Sequence, residues 1–293
     1  MFYEVEMPRK APGAKNWAAA LVVLNPSESR RLVAKATVAL PEVQHAFKYG
    51  TIIIGRGVTN AFVTEELIGV RIEPKAGQTV GMVCHGITTG NSGLPPCPHH
   101  VIRRGNVVEG ADSKVEILSF GPEDVFIKGA NAIDPDGNAG IFTSSLVGGT
   151  IGMAWPVVTP RGSHLIMPVG LEKLIPSVIE AAKHTGIFAY KYSTGLPARL
   201  TPLVLSKVVT EIQALAFLAG VRVTHVGSGG VGGSEGAVVL VIEGEEASVD
   251  KAFRLVKEIK GEPKVTVPDT LHVGSAADYN FEPAAQLATL GGR

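Results

Sequence analysis

The chain has 293 residues, 45% of them hydrophobic and 18% charged, which excludes disorder and is long enough for one large domain plus a smaller one. Lys+Arg and Asp+Glu balance at 27 each without a dense basic run, so broad electrostatic binding to nucleic acid is excluded. No segment is apolar enough to cross a bilayer, no secretory pattern opens the chain, and two cysteines make no disulfide framework. The expectation is a cytoplasmic protein with neither membrane nor nucleic-acid partners.

Asn25, Pro26 and Glu28 form a helix start, with a capping side chain, proline in the first turn and a carboxylate near the positive end. Leu32, Val33 and Ala36 give that helix its apolar face, and Pro41 restarts a second one through Val43 and Phe47. The stretch TIIIG then reads as a buried strand, and AFVTEELIG as a helix presenting Phe62, Val63 and Leu67. TVGMV is a further predicted strand, and VIRRGNVVEG a hairpin turning at Gly105-Asn106.

VEILSF and DVFIKGANAI are expected to be short strands, the second ending in the turn DPDGN, and SHLIMPVG another strand. Pro176 should open a helix with Val178, Ile179 and Ala182 inward, closed by Gly186. Such alternation indicates a Rossmann-like α/β layered domain with a mainly parallel sheet, over residues 1–202.

From residue 203 the order changes to αββαβ, a small ferredoxin-like α+β subdomain over residues 203–267. A helix ending at Gly220 precedes the strands VRVTHVGSGG and AVVLVIEG. A helix carrying Val249, Phe253, Val256 and Ile259 follows, then a last strand, KVTV. Residues 268–293 show little periodicity and are expected to form an irregular cover, over the chain's own body or a neighbouring subunit; a homo-oligomer is compatible with that.

Candidate chemistry begins at GRGVTN. A strand running into Gly55, Arg56 and Gly57 and then a helix opening with Thr59 and Asn60 puts free amides and a helix N-terminus at the carboxyl end of a sheet, a setting that attracts anions. It matches neither the dinucleotide fingerprint nor the Walker lysine motif, and a plain turn capped by Thr59 explains it as well.

Cys84, Cys97, His99 and His100 are natural zinc ligands, but the long interval between the cysteines argues for no metal site. Cys84 and His85 are neighbours that would face opposite sides of a strand, which argues against a nucleophilic pair. The eleven residues VGSGGVGGSEG lead from strand to strand and not into a helix, so they read as a flexible hairpin loop or a flap over a pocket. Asp134 and Asp136 belong to a turn, which accounts for Asp136 and leaves Asp134 open as an acid or base. Lys128 and Lys173 follow apolar strands nearby.

The stretch IIIGRGVTNAFVTEELIG resembles the first strand, loop and helix of the superfamily containing ribose-5-phosphate isomerase A, glucosamine-6-phosphate deaminase, CoA-transferases and the sugar-sensing domains of deoxyribose-type repressors. DVFIKGANAIDPDGNAG, residues 124–140, resembles the strand and glycine loop lining the same pocket there, and HLIMPVGLEKL the following strand with its lysine-bearing end. The αββαβ segment is similar in kind to the isomerase's small lid domain.

The resemblance spans roughly residues 25–180. It implies a site for a phosphorylated sugar or similar anionic metabolite, with no separate cofactor. Gly55, Arg56, Gly57, Thr59, Asn60, Gly129 and Asn131 would hold the ligand, and Asp134 and Lys173 would act in isomerase- or transferase-type chemistry.

Two departures matter. Asn131 stands where the isomerase carries an acid, and GIFTSSLVGG replaces its lysine–glycine run. Both leave a non-catalytic metabolite sensor or regulatory subunit as a second expectation. A third is a CoA-dependent transferase, for which the glycine-flanked Glu235 would be the nucleophile.

Overall fold

A computed structural model describes residues 1–91, 97 and 99–267. The irregular tail expected over residues 268–293, and residues 92–96 and 98 of the cysteine–histidine stretch, lie outside the described residues.

In chain order, β1 (Trp17–Leu24) leads into α1 (Pro26–Ala39) and α2 (Pro41–Tyr49), and β2 (Thr51–Ile54) into α3 (Val58–Ile68). Two hairpins follow, β3 (Gly81–Cys84) with β4 (Ile87–Gly90), and β5 (His100–Arg103) with β6 (Asn106–Val107). Next come α4 (Ser113–Glu116), β7 (Val125–Ile127), β8 (Ala132–Ile133), β9 (Ala139–Thr143), α5 (Gly149–Val158) and β10 (His164–Pro168). The rest is α6 (Val178–Lys183), β11 (Arg199–Leu203), β12 (Lys207–Val209), α7 (Glu211–Ala219), β13 (Arg222–Ser228), β14 (Val238–Glu245) and α8 (Glu246–Ile259).

The chain is a mixed α/β protein built on a six-stranded mixed sheet in the order β12-β10-β7-β2-β5-β6. β12, β10, β7 and β2 run parallel, so their carboxyl ends share one edge. β5 is antiparallel to β2 and pairs His100 with Ile54, so it begins at that same edge. Ile52, Ile53, Val125, Phe126, Ile127, Ile166 and Met167 are all but fully buried in these strands. Continuous apolar runs of this kind belong to strands covered on both faces. The loops leaving that edge carry the polar groups discussed below.

α1 starts where the sequence places it. Glu28 accepts a hydrogen bond from the Asn25 backbone N–H at 2.8 Å, giving one orphaned donor of the first turn a partner. In α3, Phe62 and Val63 are fully buried.

A separate three-stranded antiparallel sheet has the order β1-β14-β13. The C-terminal helices and hairpin therefore take their third strand from the N-terminal segment. β1 pairs with β14 along its whole length, from Trp17 with Glu245 to Leu24 with Val238. The expected strand KVTV forms none, because β1 occupies that side of β14. One hydrophobic cluster runs from Val22, Leu24 and Leu240 of this sheet to Ile52 and Ile127 of the larger one.

Other expectations are corrected locally. VEILSF is not a strand: the Asp112 side chain accepts from the Lys114 N–H and caps a helical turn there. The β5–β6 turn is Arg104-Gly105, both at positive φ, and not Gly105-Asn106. α6 is capped by Ser177 and ends at Lys183. Ile179 points outward, as does Phe253 of α8, whose inner face is Val249, Ala252, Val256 and Ile259.

Candidate functional site

The parallel strands deliver four loops to the carboxyl edge. The first, after β2, is the glycine turn. Gly55 continues the ladder by donating to the Ile127 carbonyl at 2.9 Å. A side chain there would press on Cδ of Lys128 at 2.9 Å, so glycine gives the lysine stem room to pass beneath the loop. Gly57, with φ +157° and ψ 150°, sits in a region that essentially only glycine occupies. It turns the chain into α3, and the Nζ of Lys128 lies 3.9 Å from where its Cβ would be.

Asn60, in the first turn of α3, is 1% exposed. Its Nδ2 donates to the Gly55 carbonyl at 2.6 Å and so clamps the turn. The loop after β7 comes up against it: a Cβ on Gly129 would meet Asn60 Oδ1 at 3.7 Å and Thr59 Cβ at 3.8 Å. The sequence expects Gly55, Gly57, Thr59 and Asn60 to meet the stretch from Gly129 to Asn131; the contacts here are those of Thr59 and Asn60 with Gly129. Thr59 is buried, and its hydroxyl has no hydrogen-bond partner among the described residues.

Lys128 leaves β7 directly after three fully buried residues, and its Nζ donates to the Arg56 carbonyl at 2.9 Å. Lys173 lies in a short 3-10 turn after β10 and donates to the Ala130 carbonyl at 2.9 Å. Each keeps some solvent contact along its length, but both ammonium groups lie deep. Burial pushes Lys128 down to about 8, with the Lys173 charge adding to the shift. Burial, and then Arg30, push Lys173 to about 8 against the opposing pull of Glu172 and Glu211. Among the described residues neither lysine, nor Arg56, has an ion pair.

His99, just before β5, completes this wall and shares a 2.7 Å hydrogen bond between its Nδ1 and the Ser113 hydroxyl. Burial, then Arg56, Lys128 and His100, hold it down at about 4, against Asp112. It is a neutral imidazole at pH 7. Cys97 is pushed up by burial, opposed by Arg56 and the Gln78 amide. Among the described residues no group of three or more His, Cys, Asp or Glu is placed to hold a metal ion.

The far end of the edge is Glu211, the first residue of α7, fully buried. Its Oε2 accepts from the Leu171 N–H at 2.9 Å. Burial lifts its pKa, and Glu172 adds to the rise, while the backbone, Leu171 and Ser29 temper it. Ser29 is close enough for that influence but not in hydrogen-bonding geometry with Glu211.

Four buried side-chain atoms lack a hydrogen-bond partner among the described residues: Arg56 Nε, Asn60 Oδ1, Ser29 Oγ and Glu211 Oε1. All four belong to this edge. Buried polar groups are nearly always satisfied, so their concentration here singles out the edge from the rest of the fold. Two open hollows elsewhere, around Gln44, His45, Tyr49 and Arg104 and between Gly50 and Arg103, lie at the amino end of β2. Neither contains an orphaned buried atom.

The remaining sequence candidates stand apart from this cluster. Asn131 is an exposed residue whose Oδ1 accepts from the Phe142 N–H at 3.0 Å, tying β8 to β9. Asp134 is 1% exposed, and its oxygens accept from the Asp136, Asn138 and Val178 N–H groups and the Asn138 side chain at 2.9–3.1 Å. Burial alone would raise its pKa, but these donors outweigh it and hold it below the usual carboxylate range. All of its acceptor capacity is engaged in the turn, leaving none for proton transfer.

Glu235 is exposed and turns back to accept from the Gly233 N–H at 2.9 Å on its own loop. That loop still reaches the rim. A Cβ on Gly236 would meet Glu172 at 3.1 Å and Pro26 at 3.2 Å, and Glu172 in turn holds Arg30 at 2.7 Å.

Sequence reasoning noted Lys128 and His99 without placing them among the site residues, and passed over Ser29 and Glu211. Lys128 and Glu211 had a signal, a charged residue one or two positions beyond the end of an apolar strand (VFIK, KVVTE). Ser29, inside a helix, had none.

No family model matches the chain, and neither the curated proteins nor the solved structures yield a match.

Proposed function

We propose that this protein binds a small anionic metabolite, a phosphorylated sugar or a compound of similar charge, at the carboxyl edge of its parallel strands. The observation that carries the reading is the unpaired cationic group Arg56, Lys128 and Lys173, with Arg56 Nε and Asn60 Oδ1 buried and unsatisfied beside it. Buried cations are ordinarily paired. Here the two lysines donate to backbone carbonyls, which leave their charge in place for a ligand. The N-terminus of α3 adds its own positive end at Gly57.

The superfamily resemblance points to the same class of ligand but is not needed for it. The CoA-transferase alternative draws no support from Glu235, which faces solvent on its own loop.

The test is a thermal-shift screen against phosphosugars, nucleotides, acyl-CoAs and organic acids, followed by calorimetric titration. A ligand at a hundred times its dissociation constant adds about 2.7 kcal/mol of stability. Arg56→Gln and Lys173→Met should each weaken its binding about tenfold to a hundredfold, the loss of one charged hydrogen bond. Nucleotides or CoA compounds binding unchanged in both variants, with no response to small anions, would overturn the reading.

A further inference from the structure

We propose that Lys128 is a nucleophile that forms an imine with the carbonyl carbon of the anionic ligand, and that Lys173 and Arg56 hold that ligand's phosphate or carboxylate. The proposal rests on the anion-binding reading above and names the substrate class: an anionic aldehyde or ketone.

Three features bear on Lys128, the first two shared with Lys173 and the third its own. The Nζ of Lys128 touches no carboxylate among the described residues, and its hydrogen bond is to the Arg56 carbonyl. A backbone carbonyl can still accept from the neutral amine, so losing the proton breaks no ion pair. By contrast Lys35, Lys75, Lys207 and Lys260 all sit against glutamates.

Second, the ammonium is buried with another cation nearby. Lys173 faces it from the loop after β10, and Arg56 lies on the glycine turn above it. The neutral His99 faces it from before β5, and no acid faces it directly. Burial and Lys173 together bring it to about 8, where a useful fraction is free amine at neutral pH; lysines are activated for carbonyl addition by desolvation or a neighbouring cation.

Third, the backbone turned towards Nζ is glycine. Gly57 presents no side chain to Nζ, and Gly55 lets the stem through. Arg56 Nε, buried and unpartnered, offers a donor to an oxygen of a small carbonyl compound, and Asn60 Oδ1 an acceptor to a hydroxyl where the compound carries one.

The chemistry balances without a cofactor. The lone pair of neutral Lys128 attacks the carbonyl carbon, and the C=O π electrons move to oxygen. That oxygen takes up the proton released by nitrogen to give a carbinolamine. A second proton, from solvent, lets the hydroxyl leave as water, and the nitrogen lone pair forms the C=N bond of a cationic iminium. The amine, the carbonyl compound and one proton thus give iminium and water. The iminium then withdraws electrons from the adjacent carbon, as carbon–hydrogen or carbon–carbon cleavage there requires.

The test uses the full chain with dihydroxyacetone phosphate and, separately, pyruvate, each with sodium borohydride, which delivers hydride to the imine carbon and fixes the adduct as a secondary amine. Peptide mapping by mass spectrometry should place the reduced adduct on Lys128 at least tenfold above exposed lysines such as Lys48 and Lys114. Omitting borohydride should leave no adduct. Glycerol 3-phosphate, which has the anion and lacks the carbonyl, should compete and leave no adduct itself. Lys128→Arg keeps the charge and should lose the adduct while calorimetry still detects glycerol 3-phosphate.

Adducts spread over surface lysines at the Lys128 level, with glycerol 3-phosphate still bound, would overturn imine formation and leave anion binding standing. Absence of both adduct and anion binding would overturn both readings. Because the labelling is mapped on the unaltered protein, the answer does not depend on a variant that folds.

Discussion

Two clusters of charge, one closed and one open, divide the labour in this molecule. On the outside of α1 and α3, Arg31 hydrogen-bonds Glu65, Glu66 and Glu262 at 2.6–3.0 Å, and Lys75 joins through Glu65 at 2.9 Å. Its guanidinium and the Lys75 ammonium also lie over the Phe62 ring. Burial opposes the Arg31 charge, but the surrounding carboxylates win and raise its pKa. At the carboxyl edge, Lys128 and Lys173 have backbone carbonyls for partners, and Arg56 Nε has none among the described residues. The first cluster is complete within the chain and fastens helices together. The second is incomplete within the described residues, and the proposed anion would complete it.

The comparison breaks first at Arg31. Arg31→Met should lower the unfolding free energy by about 3–5 kcal/mol in urea titrations, because it strands three largely buried carboxylates. A loss below about 1 kcal/mol would mean that the closed cluster is ornamental.

Asp134→Ala comes next, with an expected loss of about 2–4 kcal/mol as four donors lose their acceptor. Its pKa is lowered on folding, so its contribution is present above the unfolded value, about 3.9, and disappears as pH falls through the folded one. Acid titrations of the wild type and the variant should therefore draw together as pH falls through the folded value.

Lys128→Met should move stability the other way, by about 1–2 kcal/mol in favour of the fold at pH 7, since it removes a buried charge without an acid partner. The sign follows from a folded pKa of about 8 against 10.5 in the free side chain. Between those values the unfolded chain binds more protons, so the wild type gains stability as pH rises, and the advantage of the variant should shrink from pH 8 to 10. A destabilised Lys128→Met would place this lysine with the structural charges. Calorimetry on the same protein should show anion binding weakened about tenfold or more.

Thr59→Ala should reduce ligand affinity by about 0.5–1.5 kcal/mol, one neutral hydrogen bond, and leave the fold intact. Glu235→Gln should change neither stability nor affinity by more than about 0.5 kcal/mol. A larger loss of binding would bring the glycine loop into the site and redraw its boundary.

Much of the fold was readable from local pattern. TIIIG, VFI and HLIM are apolar runs that only a covered strand accommodates, and the Asn25-Pro26-Glu28 start of α1 is written in side chains that act within one turn. Gly55, Gly57 and Thr59 marked one wall of the site because a strand, a glycine turn and a helix follow one another in sequence. VEILSF misled because its apolar residues fit a strand while Asp112, just upstream, caps a helical turn. Asp134 drew attention by its type, and only its four donors reveal that it is engaged.

By itself the sequence determined the strands, the helix starts and the glycine turn, since propensity, capping and periodicity operate over a few neighbouring residues. It did not determine that β1 completes a sheet with β14, more than two hundred residues away, in the place KVTV seemed made for. Pairing at that distance depends on which edge remains free once the helices have packed. Nor did it determine which charges would find partners. Arg31 and Lys128 are both cations in ordinary amphipathic surroundings, and each depends on what long-range folding brings within 3 Å. For Arg31 that is three glutamates; for Lys128 it is the Arg56 carbonyl.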